Sequence, residues 1–133
     1  MADRNLSNSP ALPQQNGGTA QAMQNSDVVL VYTTFPSQED AKTTGRALIE
    51  GRLAACVNIF PPMISVFVWE GKLQEEAETA MIVKTTKARS EEALAEISRL
   101  HPYSIPARIV LPVAGGGADF LQWIGAQCSP SGK

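Results

Sequence analysis

The sequence predicts an α+β domain of split β-α-β plan that carries an oversized β-hairpin. Three observations lead there. Strand-like and helix-like periodicities follow one another as strand, helix, strand, strand, helix, strand. The stretch 54–85, AACVNIFPPMISVFVWEGKLQEEAETAMIVKT, places two apolar, β-prone runs on either side of Glu70-Gly71-Lys72. Within it, Met63–Trp69 is apolar at every position except Ser65. A strand with one wet face alternates apolar and polar side chains, so this one is expected to be covered on both faces.

The elements follow in order. Residues 1–26 are mostly Asn, Gln, Ser, Ala, Gly and Pro, with only Asp3 and Arg4 charged. Such a composition has too little apolar surface to offset its ordering entropy, and a disordered tail is expected. The domain is expected over 27–128. Residues 27–34 read as a first, central strand. Ser37 suits an N-cap, and Glu39 and Asp40 complement the dipole in the first turn. Ala41, Gly45, Leu48 and Ile49 share one helical face, and its small residues allow a close approach to a sheet. Gly51 suits the C′ position.

The hairpin comes next. One strand over 54–69, kinked at Pro61-Pro62, spans roughly 50 Å at about 3.3 Å per residue. A domain of about 100 residues is roughly 35 Å across. A hairpin that overshoots its own domain exposes sheet edges and the Phe67 or Trp69 surface unless another chain covers them. This predicts an obligate homo-oligomer. The alternative is two short strands separated by a Pro-Pro loop inside one monomer.

A second helix is expected from about Thr86 or Ser90, either of which can cap it, to Leu100, with Ala93, Leu94, Ile97 and Leu100 on one face. His101-Pro102 ends it. Residues 107–113 form a last main strand, which Pro112 assigns to a sheet edge or a strand end. Asp119 is a candidate cap for a short helix over 120–127, and residues 129–133 are expected to fray. The plan is that of the ferredoxin-like folds, with both crossover helices on one sheet face. The helix-free face must then be polar or packed on something, and the apolar hairpin favours packed.

Composition narrows the function. The chain has 133 residues and a net charge of −2 without a basic stripe, which argues against nucleic acid as a partner. No apolar run approaches the roughly 20 residues that span a bilayer, and no secretory signal is evident. Cys56 and Cys128 lie far apart and form no CxxC pair, so a reduced, cytoplasmic setting is expected.

Six segments in order carry a resemblance: LAACVNI (53–59), WEGK (69–72), IVKTT (82–86), LHPYSIP (100–106), LPV (111–113) and FLQWI (120–124). The stretch 28–124 resembles the CutA family of divalent-cation tolerance proteins. The resemblance implies a ferredoxin-like α+β subunit with an extended β-hairpin and a C-terminal helix, assembling as a tight homotrimer through hairpin edges. It implies a role in tolerance of divalent metals, copper above all. Some bacterial members look like copper binders through a Cys at the end of the first strand and a His-His pair before Pro-Tyr. Those positions here are Thr33, Leu100 and His101, so one of the three ligands remains.

The candidate metal ligands are therefore His101, the only histidine, and Cys56, since imidazole and thiolate suit copper and zinc. The plainer readings are a helix-end histidine favoured by the dipole and a small buried hydrophobe. Cys128 is expected to be merely exposed. Trp69, Glu70, Lys84 and Tyr103 are the candidates for a ligand crevice between subunits, while Phe120 and Trp123 read as core. No nucleophile or orienting acid is identifiable around His101, and 115–117 lacks the lysine of a phosphate loop. The function expected is a tolerance protein that binds copper or another divalent metal weakly and without catalysis. One rival is a small-molecule sensor like the nucleotide-binding signal-transduction trimers. The other, an acylphosphatase-type enzyme, needs a Gly- and Arg-bearing loop that 33–37 lacks.

Overall fold

A computed structural model describes residues 27–130. The tail expected over 1–26 and the last part of the expected frayed end, 131–133, lie outside the described residues. The elements are β1 (Val28–Phe35), α1 (Gln38–Glu50), β2 (Cys56–Ile59), β3 (Met63–Trp69), β4 (Lys72–Thr86), α2 (Lys87–Leu100), β5 (Ile109–Pro112) and α3 (Ala118–Gln127). The sheet runs β2-β4-β1-β5, antiparallel throughout, and β3 pairs with the distal part of β4. This is the ferredoxin-like order. β1 is central and largely buried, and β5, with Pro112, is an edge strand, both as the sequence indicated.

Alternation along the strands separates the two sheet faces. Val31, Phe35, Met81 and Val83 turn to one side and join Ala41 and Leu48 of α1 and Ala93 and Ile97 of α2 in the main core. Gly45 makes that packing close. A Cβ there would meet Val57 Cγ2 at 2.9 Å and Met81 Sδ at 3.4 Å. Val57 is β-branched and stiff, so it cannot simply swing aside. On the opposite face α3 covers one end of the sheet, with Ile124 and Cys128 against Val28.

The helix ends refine the sequence reading. Ser37 caps α1, its hydroxyl accepting from the Asp40 N–H at 3.1 Å. Thr86 rather than Ser90 caps α2, accepting from the Arg89 N–H at 3.3 Å. Gly51 is not the left-handed residue expected at C′; its φ is −84°. Arg52 takes that role with φ 59°, and the Arg52 and Leu53 N–H groups close on Ile49 O and Leu48 O. Tertiary contacts hold Arg52 there: its carbonyl accepts from Arg89 Nε, and its own Nε donates to Ser129 O, each at 3.2 Å. That last bond also anchors the start of the segment expected to fray. Asp119 does not cap α3; the cap position is Gly117, and Asp119 sits in the first turn.

The hairpin departs from a single kinked strand. β2 and β3 are separate, yet both pair with the same continuous 15-residue β4. From Ile59 to Met63 is four residues, while their partners Met81 and Glu78 are three apart. The extra residue acts as a bulge at Phe60-Pro61-Pro62 and shifts the alternation of β3 relative to β2. The tip is the two-residue loop Glu70-Gly71, with φ of 52° and 81°, as a right-twisted hairpin requires. β4 spans about 50 Å at roughly 3.3 Å per residue. Only Thr79–Thr86 also pairs with β1, so the distal part stands out from the body as a two-stranded arm.

The arm is not covered by its own chain. Ile64, Val66, Val68 and Leu73 are 66, 60, 65 and 70% exposed. The register puts them on the face of β4 that continues from Met81 and Val83, beyond the reach of the helices. The two short strands on either side of Pro61-Pro62 are those of the alternative reading, but their apolar strip is left uncovered by the chain itself.

Two expectations follow. Gly45→Val should destabilise the protein by about 1–3 kcal/mol in urea unfolding, because the added side chain overpacks against Val57. Thr86→Ala should cost about 1 kcal/mol through the lost cap, whereas Ser90→Ala should leave stability nearly unchanged.

Candidate functional site

A groove of about 500 Å³ opens where the arm leaves the body. Phe67 and Trp69 of β3 and Gln74, Glu76 and Glu78 of β4 form one wall. The register places Trp69↔Lys72, Phe67↔Gln74, Ser65↔Glu76 and Met63↔Glu78 on this one face of the ribbon. The other wall comes from the loop after α2, including Tyr103 and Ile105, with Thr34 at the base.

Glu78 is the hub of the groove. Its Oε1 accepts from Ser65 Oγ at 2.7 Å, and its Oε2 accepts from Tyr103 Oη at 2.8 Å and from Thr34 Oγ1 at 3.5 Å. One carboxylate thus ties β1, β3, β4 and the post-α2 loop together. Burial, then the Glu78 hydrogen bond and charge, push the Tyr103 hydroxyl up to about 12, so it stays a proton donor at neutral pH. Sequence reasoning missed Glu78. Its only sequence signal is its place in the acidic run Glu75, Glu76 and Glu78 that faces the apolar strand Met63–Trp69.

His101 lies behind this hub as the C-cap of α2, 9% exposed and stacked on Phe35 at 4.4 Å between ring centroids. Its Nδ1 accepts from the Tyr103 backbone N–H at 3.1 Å, and its Nε2 lies 2.6 Å from Thr34 O. A backbone N–H only donates and a carbonyl only accepts, so Nδ1 is bare and Nε2 carries the hydrogen. The neutral ring has both nitrogens engaged. It is not a helix-end charge facing solvent.

The other sequence candidates are dispersed. Cys56 is half-buried at the start of edge strand β2, opposite Lys84, with its thiol toward Val57 O at 3.8 Å. Lys84 sits above the Phe120 ring at 5.3 Å, and β1 runs from its partner Leu30 to Thr34 before reaching the groove. Glu70 occupies the hairpin tip outside the groove lining. Of the four crevice candidates the subunit brings together Trp69 and Tyr103. Thr33 is fully buried on the helix side of β1, and its hydroxyl has no hydrogen-bond partner among the described residues. Cys128, expected to be exposed, is 1% exposed, because α3 folds back and seats it 3.7 Å from Thr85 Oγ1.

The donor set does not fit a tightly held soft metal within one subunit. Among the described residues no three His, Cys, Asp or Glu side chains converge. His101 would have to give up a backbone bond to ligate. No described helix is long and apolar enough to cross a membrane.

Burial lowers the His101 pKa below its ordinary 6.5, against the raising effects of Thr34 O, Asp40 and Glu78. The unfolded chain therefore binds this proton more readily than the folded one. Stability from the neutral ring is complete above about pH 6.5 and declines as pH falls through that value toward the folded pKa. The thermal midpoint should drop between pH 7.5 and pH 5, and His101→Gln should flatten that part of the profile.

Comparison with known proteins agrees with this architecture. Residues 29–127 match the family model described as CutA1 divalent ion tolerance protein. The chain is 42% identical over 98 residues to the divalent-cation tolerance protein CutA of Thermus thermophilus, covering 74% of this chain and 93% of that protein. It is 37% identical over 97 residues to human protein CutA, covering 73% of this chain and 54% of that one. Among solved structures, CutA from Xylella fastidiosa superposes with a TM-score of 0.77 at 34% identity, covering 78% of this chain and all of that one. The Archaeoglobus fulgidus protein, described as a periplasmic divalent cation tolerance protein, gives 0.75 at 40% identity, covering 77% and 99%. Over nearly all its described length, the chain belongs to the CutA1 divalent ion tolerance family.

Proposed function

We propose that this chain acts as a homotrimeric divalent-cation tolerance protein that contacts copper or another divalent metal weakly and catalyses no reaction itself. The observation that carries the assembly is the arm. A two-stranded ribbon is marginal alone, and this one presents Ile64, Val66, Val68 and Leu73 to solvent. Sister copies can cover that strip in a closed ring.

That any metal contact is weak rather than tight is supported by the engaged ring of His101 and by the lack of three converging ligands among the described residues. The absence of catalysis is supported by the same ring: the only histidine has neither nitrogen free to serve as a base. A reducing, cytoplasmic setting is supported by two unpaired cysteines. Relatives described as chloroplastic or periplasmic occupy other compartments, so cell fractionation is its direct test.

Light scattering at micromolar concentration should give three times the subunit mass, and a monomer would remove the basis for the assembly. Val66→Glu with Val68→Glu should shift the population toward smaller species. Calorimetric titration with Cu²⁺ should give a Kd no tighter than about 1 μM. His101→Ala should weaken it further, and unchanged affinity would assign the contact elsewhere.

A further inference from the structure

The groove has a one-sided chemistry that a tolerance role leaves unused. Its lining holds two carboxylates, Glu76 and Glu78, and no lysine or arginine. Lys72, on the same ribbon face at the tip, is outside the lining. The rest of the lining is aromatic or apolar where it is not hydroxyl or amide: Phe67, Trp69, Tyr103 and Ile105. The two acids are not equivalent. Glu78 is occupied by Ser65, Tyr103 and Thr34. Glu76, two residues nearer the tip on the same face, makes no hydrogen bond or ion pair among the described residues.

We propose that this groove binds a small primary amine, its ammonium group against Glu76 and its alkyl body along Trp69, Phe67 and Ile105. The aromatic faces attract a cation as well as covering methylene groups. A hydrated divalent metal gains little there, since only one carboxylate is free and a hard cation needs several oxygens. An anion meets two like charges, and a neutral alcohol gains the wall contact alone. The volume accommodates a body of four to six carbons, well within the usual range for ligand sites.

The test is a titration of the assembled full-length protein, in chelator, followed through the indole N–H resonance of Trp69. That resonance is assigned by its loss in Trp69→Phe. n-Butylamine and putrescine should shift it saturably, while n-butanol and butyrate should not. Glu76→Gln should weaken amine binding by about two- to fivefold, the range of an exposed ion pair, and added salt should weaken it in the same direction. Glu75→Gln, on the opposite face of the ribbon, should leave it unchanged.

No saturable shift up to about 50 mM amine would overturn the proposal. So would an equal shift with n-butanol, or undiminished affinity in Glu76→Gln. An identical shift with Mg²⁺ would reduce the effect to bulk charge and overturn it as well. Because sizing and copper calorimetry read other residues, the tolerance and trimer readings stand or fall separately from this one.

Discussion

A strand longer than the body that carries it constrains everything else in this molecule. β4 serves as a central sheet strand between β1 and β2 over one half and as one side of a free ribbon over the other. Its backbone does not change character at the boundary, so each of its faces runs from the body into the arm. The face that meets the helices at Met81 and Val83 runs on to Ala77, Glu75 and Leu73, where no helix remains above it. The one-residue bulge before Met63 then decides which β3 side chains join that face. It selects Ile64, Val66 and Val68 and turns Ser65, Phe67 and Trp69 to the other side. Without the bulge the two sets would exchange, since a register slip of one residue inverts every side chain. The exposed apolar strip and the groove are thus two sides of one ribbon.

The groove is rigid where it joins the body, and the reason is polar. A continuous chain runs from Thr34 O through the His101 ring to Tyr103, from its hydroxyl to Glu78, and on to Ser65. A single hydrogen bond adds about 1 kcal/mol, but stranding a buried partner costs about 1–3 kcal/mol, so such a chain resists partial opening. His101 fits this use well. One of its nitrogens accepts and the other donates, and its flat ring lies on Phe35. Desolvation keeps it neutral, which suits a structural link between backbone groups better than a site for a cation. The family's association with divalent metals therefore does not rest, in this subunit, on an imidazole ready to bind.

Local chemistry made much of the fold legible. Ser37 before two acids, the spacing of Ala41, Gly45 and Leu48, Pro112 near a strand end and Gly71 in a short turn each carry a physical rule that acts within a few residues. The misjudged points have a common cause. Arg52 replaces Gly51 as the left-handed residue because Arg89 and Ser129, distant in sequence, hold it there. Cys128 is buried because α3 returns to Val28 and Thr85. Lys84 and Glu70 are candidates for a crevice between subunits; within one subunit the register sends one toward Phe120 and the other to the tip, away from the groove.

By itself the sequence determined the class of fold, the presence of a long apolar hairpin arm, and the kinship of the chain. These depend on periodicity, composition and short motifs, which are written along the chain. Only the tertiary structure decided which acid serves as the hub, which tautomer His101 adopts, and which face of the ribbon is groove and which is apolar strip. Those choices depend on one inserted residue between β2 and β3 and on partners dozens of positions apart, and no rule confined to neighbouring residues can supply them.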